Sequence, residues 1–457
     1  MSKLDLVTMT SNVKTDTPHI LSAAVKRTLR LSVIEGALTQ AFINWTTGSV
    51  LVGYMLHYGA TPTQLGLVAS VPLLAQSSSP FTAWLSGFLP QLKWLTVTTA
   101  LLGRGLWILA AFLPQFGLPE NSEVMFLVGL VAVSSFFQAS LGSLWTGWMG
   151  NVVPDEQRGR YFGFRTGVIG IVGMLSNFAS GWVLDRVAAP LGFQIVLGVG
   201  VLAALAGAAL LTLHYEPALP KPRHSLRETL TLPWQDLNFR KFLIFGVYWH
   251  AAIMLAAPFV FAYFLDYLGM SFTEIALWSA VAASSALVTT VLWGRLADTY
   301  GNKFVLQTGT FLAGSVLPLS WLFATPEMRF PIYFAGLFDA LAWGAIGPAM
   351  FNLALASAPR ADRLPYIAMF SLITGLAGFL GGLLSGVLFG LFEVTAFELR
   401  EYKWTAYHTL FVVSALFRVQ AWRFVRPVQE TKAWRARDVL RRVRFGWRGA
   451  GFPWRGG

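Results

Sequence analysis

The chain has 457 residues, of which 55% are hydrophobic and only 12% are charged, about half the charged fraction of a soluble domain. It contains no cysteine, which excludes disulfides and thiolate metal sites. Apolar stretches of 18 residues or more recur along the whole length, the pattern typical of transmembrane helices. The first 20 residues are polar, so we expect no cleaved signal peptide. One integral membrane domain is therefore predicted.

Hydropathy predicts twelve spans, six on each side of a proline-rich, charged interruption at 214–238. The spans are placed near 30–55, 64–88, 94–115, 124–149, 161–184, 191–213, 239–265, 272–297, 303–324, 330–354, 364–390 and 404–424. The interruption contains Leu226, Leu230 and Leu237 beside Trp234, which suits either a helix on the membrane surface or a solvated linker. The expected domains are an N-terminal tail (1–29), a six-helix bundle (30–213), the linker (214–238), a second bundle (239–424) and a basic tail (425–457).

The distribution of positive charge predicts the orientation. Of the 34 Lys and Arg residues, 29 lie in the N-terminus, in the loops that follow even-numbered spans and in the C-terminal tail. Arg186, Arg329, Arg400 and Lys403 lie in the opposite loops, and Arg104 lies inside a span. Because basic loops stay on the cytoplasmic side, both termini are expected in the cytoplasm and the protein in the cytoplasmic membrane.

The C-terminal tail has a strong positive charge. From Arg418 onward it holds 11 basic and 2 acidic residues. Nucleic acid is one partner that such a segment could bind, but a basic segment beside a membrane is expected to lie against anionic lipid. We therefore expect a lipid contact and no nucleic acid.

Two charged segments reveal an internal repeat. PDEQRGRY (Pro154–Tyr161) and PRADRLPY (Pro359–Tyr366) share the pattern Pro-x-x-x-Arg-x-x-Tyr at an offset of 205 residues. The same offset pairs Gly142 with Gly347, Gly170 with Gly375, Gly173 with Gly378, and Ser180–Gly181 with Ser385–Gly386. The sequence thus predicts two six-helix units in parallel, an architecture found in transporters.

The segment GRLADTYGNK (Gly294–Lys303) between spans 8 and 9 resembles the loop signature of the major facilitator superfamily, and PDEQRGRYFG resembles that family's corner before the fifth helix. The first-half counterpart, SGFLPQLKW (Ser86–Trp94), keeps Gly87 and Lys93 but lacks the Asp. The Gly-Pro pair of the family's antiporter signature is absent from 170–173. The resemblance extends from about residue 25 to 427. It implies an all-α fold of twelve helices in two six-helix pseudo-repeats, no cofactor or metal, and a monomer.

The resemblance also implies gating residues. Asp298 would bond to the start of span 5 near Arg158 and Gly159, holding the cytoplasmic side closed until transport breaks the bond. The alternative is a tight turn built by Asp298, Gly301 and Asn302. The remaining motif positions are Gly294, Lys303 and Arg363, the last being the second-half counterpart of Arg158.

Glycines recur every four residues in two spans. Span 5 carries Gly159, Gly163 and Gly167, then Gly173 and Gly181, and span 11 carries Gly378, Gly382, Gly386 and Gly390. Such stripes let another helix approach closely. They favour either a surface on which two halves rock or static tight packing.

Polar residues lie at the centres of four spans. Asn44, Gln138, His250 and Asp339 lie in spans 1, 4, 7 and 10, with a tryptophan within about two turns of each, namely Trp45, Trp145, Trp249 and Trp343. In the resembled fold these helices line the central cavity, so we interpret all eight as substrate-cavity candidates. A buried polar residue that is satisfied by its neighbours is the alternative. Asp339 and His250 are candidates for proton coupling. We interpret Arg104 as an ion-pair or carbonyl partner and Glu35 as a gate or interfacial residue.

No phosphate-binding loop, HExxH or GxSxG motif is present. The sequence therefore lacks the residues that an ATP-driven pump or a membrane hydrolase would need. The sequence predicts a secondary transporter, and not an enzyme, that moves a small organic or amphipathic solute by alternating access. Proton-coupled export is the first hypothesis and uptake of a nutrient is the second. A lipid-handling transporter and a non-transporting receptor or scaffold are the rivals.

Overall fold

The structure is a computed structural model that describes residues 22–86, 88–89, 91–119, 122–217, 225–359, 363–399 and 402–430. The polar N-terminal residues and most of the basic tail, with its expected lipid contact, lie outside the described residues. The N-terminal half consists of nine helices within the described range: α1 (Ala23–Thr46), α2 (Gly48–His57), α3 (Pro62–Gln76), α4 (Ser79–Ser86), α5 (Lys93–Gly105), α6 (Ile108–Ala111), α7 (Ser122–Val152), α8 (Asp155–Arg186) and α9 (Leu191–Thr212).

The linker contains a helix, and the C-terminal half repeats the arrangement of the first. The elements are α10 (Leu226–Gln235) in the linker, then α11 (Leu237–Met254), α12 (Val260–Ala262), α13 (Phe272–Tyr300), α14 (Asn302–Ser315), α15 (Leu317–Trp321), α16 (Phe330–Ser357), α17 (Arg363–Phe392), strands β1 (Phe397–Leu399) and β2 (Tyr402–Trp404), and α18 (Ala406–Val425).

Eight segments of the described chain are long and apolar enough to cross a membrane. They match predicted spans 3 to 8, 10 and 11. The other four predicted spans correspond to α1–α2, α3–α4, α14–α15 and α18. Three of these are interrupted helices, and α18 carries Arg418 and Arg423, which lower its hydropathy. Each of the twelve predicted spans therefore overlaps at least one helix, and eight of them meet the length and hydropathy of a membrane span.

The breaks in spans 1 and 7, and those in spans 3 and 9, occupy equivalent places in the two halves, whereas the break between α3 and α4 has no counterpart in α13. α1 and α2 are separated at Thr47, and Gly48 has a φ of 60°, a conformation that favours glycine. The equivalent helix of the second half breaks after Met254, and a short 3-10 turn, Ala257–Phe259, contains Pro258. α5 and α6 are separated at 106–107, and α14 and α15 are separated at Val316. The repeat predicted from sequence thus extends to the positions of the breaks in these four spans.

A carboxylate–lysine clamp occurs once in each half. Glu216 accepts hydrogen bonds from the backbone of Leu92 and Lys93, and the Lys93 ammonium donates to the carbonyl of His214 at 3.1 Å. In the second half, Glu430 accepts from the backbone of Asn302 and Lys303, and Lys303 donates to the carbonyls of Arg426 and Val428. Both clamps place a negative charge at a helix N-terminus, where the helix dipole stabilises it.

The two clamps and α10 lie on one face of the molecule, which we name the terminal face because Ser22 and Glu430 also lie there. The loops at 58–61, 187–190 and 268–271 form the distal face. The N-terminus of α10 is capped by a capping box between Ser225 and Glu228, and α10 packs on α17 and α4. The linker therefore contains a helix, α10.

One element departs from the all-α prediction. β1 and β2 form an antiparallel hairpin on the distal face, with Phe397 opposite Trp404. The Tyr402 hydroxyl donates to the carbonyl of Leu322, and burial raises the pKa of Tyr402 to about 12. The hydroxyl therefore remains a donor at neutral pH. Strands of only three residues, rich in aromatic side chains, give too weak an alternation of polar and apolar residues for hydropathy to distinguish them from a loop.

Candidate functional site

A cavity of about 1160 Å³ lies between the two halves. Its wall includes Thr47 at the break between α1 and α2, and Ala257 and Pro258 at the equivalent break of the second half. It extends along α7 to Gly147 and Gly150 and along α17 to Ile367, near the terminal face. A volume of this size suits a small organic molecule.

The cavity wall carries no Asp, Glu, Lys, Arg or His among the described residues. Most of it comes from the N-terminal half, which contributes hydroxyl and amide groups. The C-terminal half contributes Met254, Ala257, Pro258, Phe261, Ile367, Ala368 and Ser371. Among the described residues the site is therefore uncharged, with one polar wall and one wall that is almost entirely apolar.

The break in the first helix places polar groups at the cavity. The hydroxyls of Thr46 and Thr47 donate to the carbonyls of Phe42 and Ile43, each at 2.7 Å. These bonds satisfy carbonyls near the end of α1 and leave hydroxyl lone pairs free to accept. Interrupted helices at a central cavity are typical of transporters, because irregular backbone is tolerated there.

The structure places the first-half cavity candidates differently from one another. Gln138 lines the cavity. The Asn44 amide instead donates to the carbonyl of Gly173 at 2.7 Å, and Trp45 donates to the carbonyl of Ser176 at 2.6 Å. Both bonds join α1 to α8 within the N-terminal half. Trp145 stacks against the Arg165 guanidinium, 4.3 Å from the ring centre.

The second-half candidates lie inside the C-terminal half and are not part of the cavity wall. Trp249 is fully buried and packs against Trp343 at 6.1 Å between ring centres. The His250 ring bonds to the carbonyl of Gly246 at 2.8 Å. Asp339 has Trp343 and the Arg418 guanidinium as its polar neighbours. The structure does not bring Asp339 and His250 together.

A buried charge network stabilises the N-terminal half. Glu35, only 2% exposed, pairs with Arg104 at 3.3 Å and with Arg165 at 3.6 Å. The Thr39 hydroxyl donates to the same carboxylate at 2.8 Å. The network joins α1, α5 and α8. Losing one member of such a network would leave a buried charge unpaired, so these three helices are expected to move together.

The two most extensive contact surfaces between the halves are named here by their helices. In the α3–α17 seam, the glycines of α17 meet the backbone of α3. A Cβ on Gly375 would lie 2.6 Å from the carbonyl oxygen of Leu73, one on Gly382 would lie 2.6 Å from the Ser70 Cβ, and one on Gly386 would lie 2.8 Å from the Thr63 Cα. Only glycine permits this approach.

The α8–α13 seam is closed at the distal face alone. There the Asp185 carboxylate, at the end of α8, accepts hydrogen bonds from the backbone N–H groups of Phe272 and Thr273 at 2.8 and 2.9 Å. These N–H groups begin α13 in the other half. A Cβ on Gly181 would lie 2.9 Å from the Phe272 backbone. Asp185 thus joins the two halves, and the sequence analysis missed it because a lone carboxylate at a helix end carries no motif.

At the terminal face the same seam is open. A Cβ on Gly159, Gly163 or Gly167 would meet no atom within 4 Å. Asp298 is exposed, and its carboxylate has no hydrogen bond or ion pair to another described residue. Arg158 donates to the carbonyl of Gly150 at 2.9 Å, within its own half.

The remaining motif residues shape the loop between α13 and α14. Gly301 ends α13 with a φ of 91° and donates to the carbonyl of Ala297. Gly294 is exposed, Lys303 belongs to the second-half clamp, and the side chain of Arg363 lies outside the described residues.

The family model of the Major Facilitator Superfamily matches residues 36–267 and 250–455. The chain belongs to the Major Facilitator Superfamily. It is therefore a multi-pass membrane transporter and not an enzyme, as the sequence predicted. No curated protein sequence matches it at a significant level.

Solved structures of superfamily members share its fold. A point mutant of the nucleoside transporter NupG is 15% identical with a TM-score of 0.66, covering 88% of this chain and 100% of its own. A bacterial homologue of the lysosomal transporter Spinster, inward-facing and occupied, is 15% identical with a TM-score of 0.68, covering 90% and 99%. A D-xylose–proton symporter is 18% identical with a TM-score of 0.65, covering 87% and 97%. At these identities the likeness shows the fold alone.

Proposed function

We propose that this superfamily member is a secondary active transporter of a small, uncharged organic solute, working by alternating access in the cytoplasmic membrane. The observation that carries the proposal is the neutral cavity between the halves, reached from the terminal face and closed toward the distal face. Alternating access requires a site that one face exposes while the other is sealed, followed by the reverse arrangement.

The closed distal face is built from contacts that can be broken. Asp185 and the glycines of the α3–α17 seam join the two halves through hydrogen bonds and van der Waals contacts. The Glu35 network, by contrast, lies within one half. Rigid halves joined by weaker seams are what rocking requires, and a static scaffold needs neither the cavity nor the exposed glycines of α8.

The orientation we propose puts the terminal face in the cytoplasm, because 29 of the 34 basic residues lie on that side. Reporter fusions after Pro119, Gly269 and Phe397 should report the outside, and fusions after Pro220 and Gly457 the inside. An outside signal at Gly457 would contradict the model. The basic tail is proposed to contact anionic lipid, and the working unit to be a monomer.

We propose export as the direction, driven by protons, with uptake as the alternative. Asp339 is the coupling candidate because it is a carboxyl inside a spanning helix. In vesicles, Asp339→Asn should abolish accumulation driven by a pH gradient while downhill exchange continues. Normal pH-driven accumulation by the folded variant would exclude Asp339. His250→Gln tests the second candidate, and we expect the smaller effect because His250 does not contact Asp339.

Function is tested first by ligand binding and then by flux. A thermal-shift screen of the purified chain against metabolites and drugs should find stabilising solutes, since a ligand at 100 times its Kd stabilises by about 2.7 kcal/mol. Each hit is then loaded into vesicles containing the protein and into protein-free vesicles. Protein-dependent efflux supports a transporter, whereas saturable binding without any flux would favour the receptor.

A further inference from the structure

The two walls of the cavity differ in their free hydrogen-bonding capacity. On the wall from the N-terminal half, the side chains of Gln76, Ser135 and Gln138 form no hydrogen bond with another described residue. Ser134 on the same wall is different, because it accepts from Trp107 and donates to the carbonyl of Gly103. Each free glutamine amide offers two donors and one acceptor.

The opposite wall offers almost nothing to a polar group. Met254, Pro258 and Phe261 present apolar side chains to the cavity, and Ser371 is the one hydroxyl that the described part of the C-terminal half contributes to it. Since no charged side chain of a described residue lines either wall, an ionised solute would lose its hydration without gaining a counter-ion. A solute with hydroxyls alone would leave the apolar wall without complementary contact.

We propose that the substrate is an uncharged amphipathic solute whose hydroxyl or amide edge binds Gln76 and Gln138 and whose apolar face packs on Phe261 and Met254. Ring-bearing polyols, such as aryl glycosides and nucleosides, have this shape. The inference rests on the proposed transport function and specifies the substrate class of the same cavity.

Two matched sets of probes test the class. The first is phenyl β-D-glucopyranoside, D-glucose and phenyl β-D-glucuronide; the second is uridine, D-ribose and uridine monophosphate. In each set the first probe is uncharged and amphipathic. The second lacks the phenyl ring or the nucleobase, and the third adds a negative charge. Calorimetry with the full chain in lipid nanodiscs should show, in at least one set, binding of the first probe about tenfold tighter than the other two. If neither set shows this order, the inference is wrong.

Substitutions locate the polar edge. Gln138→Leu and Gln76→Leu should each weaken binding of the preferred probe by about 3- to 10-fold, the amount expected for one or two hydrogen bonds. Gln235→Leu is the matched control, because Gln235 is exposed on α10 and is not part of the cavity wall. Unchanged affinity in both cavity variants, with unchanged melting temperature, would contradict the assigned roles.

Flux measurements distinguish a failure of this inference from a failure of the proposed function. If vesicles carry phenyl β-D-glucuronide or uridine monophosphate but not their uncharged partners, the protein transports and the inference is wrong. If an uncharged amphipath binds in the predicted order but never crosses, the inference stands and the proposed function is wrong.

Discussion

The two seams between the halves are related by the internal repeat but packed differently. In the α3–α17 seam, glycines from Gly375 to Gly386 leave no room for a Cβ along three helical turns. In the α8–α13 seam, close approach is confined to Gly181, beside Asp185, and the glycines from Gly159 to Gly170 face open space. The same spacing of glycine therefore produces contact in one place and clearance in the other.

This difference identifies which contacts a transport cycle must break. In this conformation, with the terminal face open, the helices of the α8–α13 seam are separated at the terminal end. The α3–α17 seam remains in contact over most of its length. Reversal would close the open end of α8 against α13 and release Asp185 from α13. Static packing would require contact at both ends of both stripes, and the glycines of α8 do not have it.

The largest effect is expected in the packed seam. Gly382→Val should place methyl groups against Ser70 and Met254 and so lower the free energy of unfolding by about 1–3 kcal/mol, the usual cost of overpacking. Gly390→Val is the control on the same helix and at the spacing of the same stripe, because a Cβ there meets nothing within 4 Å. Thermal unfolding in nanodiscs measures both. Equal losses in the two variants would mean that helix propensity, and not the seam, decides stability.

A smaller effect is expected from the distal bond of the other seam. Asp185→Ala removes the acceptor for two N–H groups at the start of α13, which typically costs about 1 kcal/mol. Because the bond joins the halves, that cost should shift the population toward the distal-open state by about fivefold. Val52 lines the cavity from α2, the helix that leads to the distal loop at 58–61. Because the chain has no native cysteine, Val52→Cys provides the only thiol for labelling from the distal side.

Labelling at Val52→Cys should therefore accelerate in the Asp185→Ala background. The control is Glu327→Ala, since Glu327 is also an exposed acid on the distal face but lies in a loop away from the seam. Equal labelling rates in the two backgrounds would reduce Asp185 to a local helix cap without influence on conformation.

The sequence predicted the fold well because the information was local and repeated. Hydropathy located each spanning segment, and the 205-residue offset related the two halves before any contact was known. The hairpin at 397–404 was missed, since three-residue strands leave no periodic pattern. The breaks at Thr47 and Pro258 were also hidden, because an unwound turn retains apolar composition.

The site was less predictable because hydropathy does not fix the rotation of a helix. Asn44 and Trp45 lie on the correct helix, yet Thr46 and Thr47 line the cavity while their neighbours bond to α8. Gln138 was predicted as a cavity candidate because it is polar and central to its span, and the structure places it on the cavity wall. Gln76 lies at the centre of predicted span 2 and meets the same criterion, but candidates were sought only in spans 1, 4, 7 and 10, which line the cavity in the resembled fold.

Asp298→Asn, at the open end of the α8–α13 seam, is expected to change stability still less. The carboxylate has no partner among the described residues in this conformation, so the variant should unfold at an unchanged temperature. If Asp298 bonds to the start of α8 when the terminal face closes, the variant should label faster at Ala368→Cys, which lines the cavity near that face. Unchanged labelling together with full transport would make this segment a turn whose geometry depends on Gly301.

Gly163→Ala is expected to cause the smallest change in stability, and it provides the most direct test of rocking. The added methyl meets open space, and alanine is favoured over glycine in a helix by about 1 kcal/mol, so the variant should be as stable as the parent or slightly more so. If the open end of α8 closes onto α13 during the cycle, that methyl occupies the contact surface, and the rate of solute exchange should fall although stability does not. Gly129→Ala on α7 is the matched control, since a Cβ there also meets nothing within 4 Å and Gly129 does not line the cavity. A fall in exchange for Gly163→Ala alone supports rocking on the α8 stripe, because only a contact absent from the present conformation can be obstructed without a loss of stability. Equal exchange rates in the two variants would show that this stripe never becomes a contact surface.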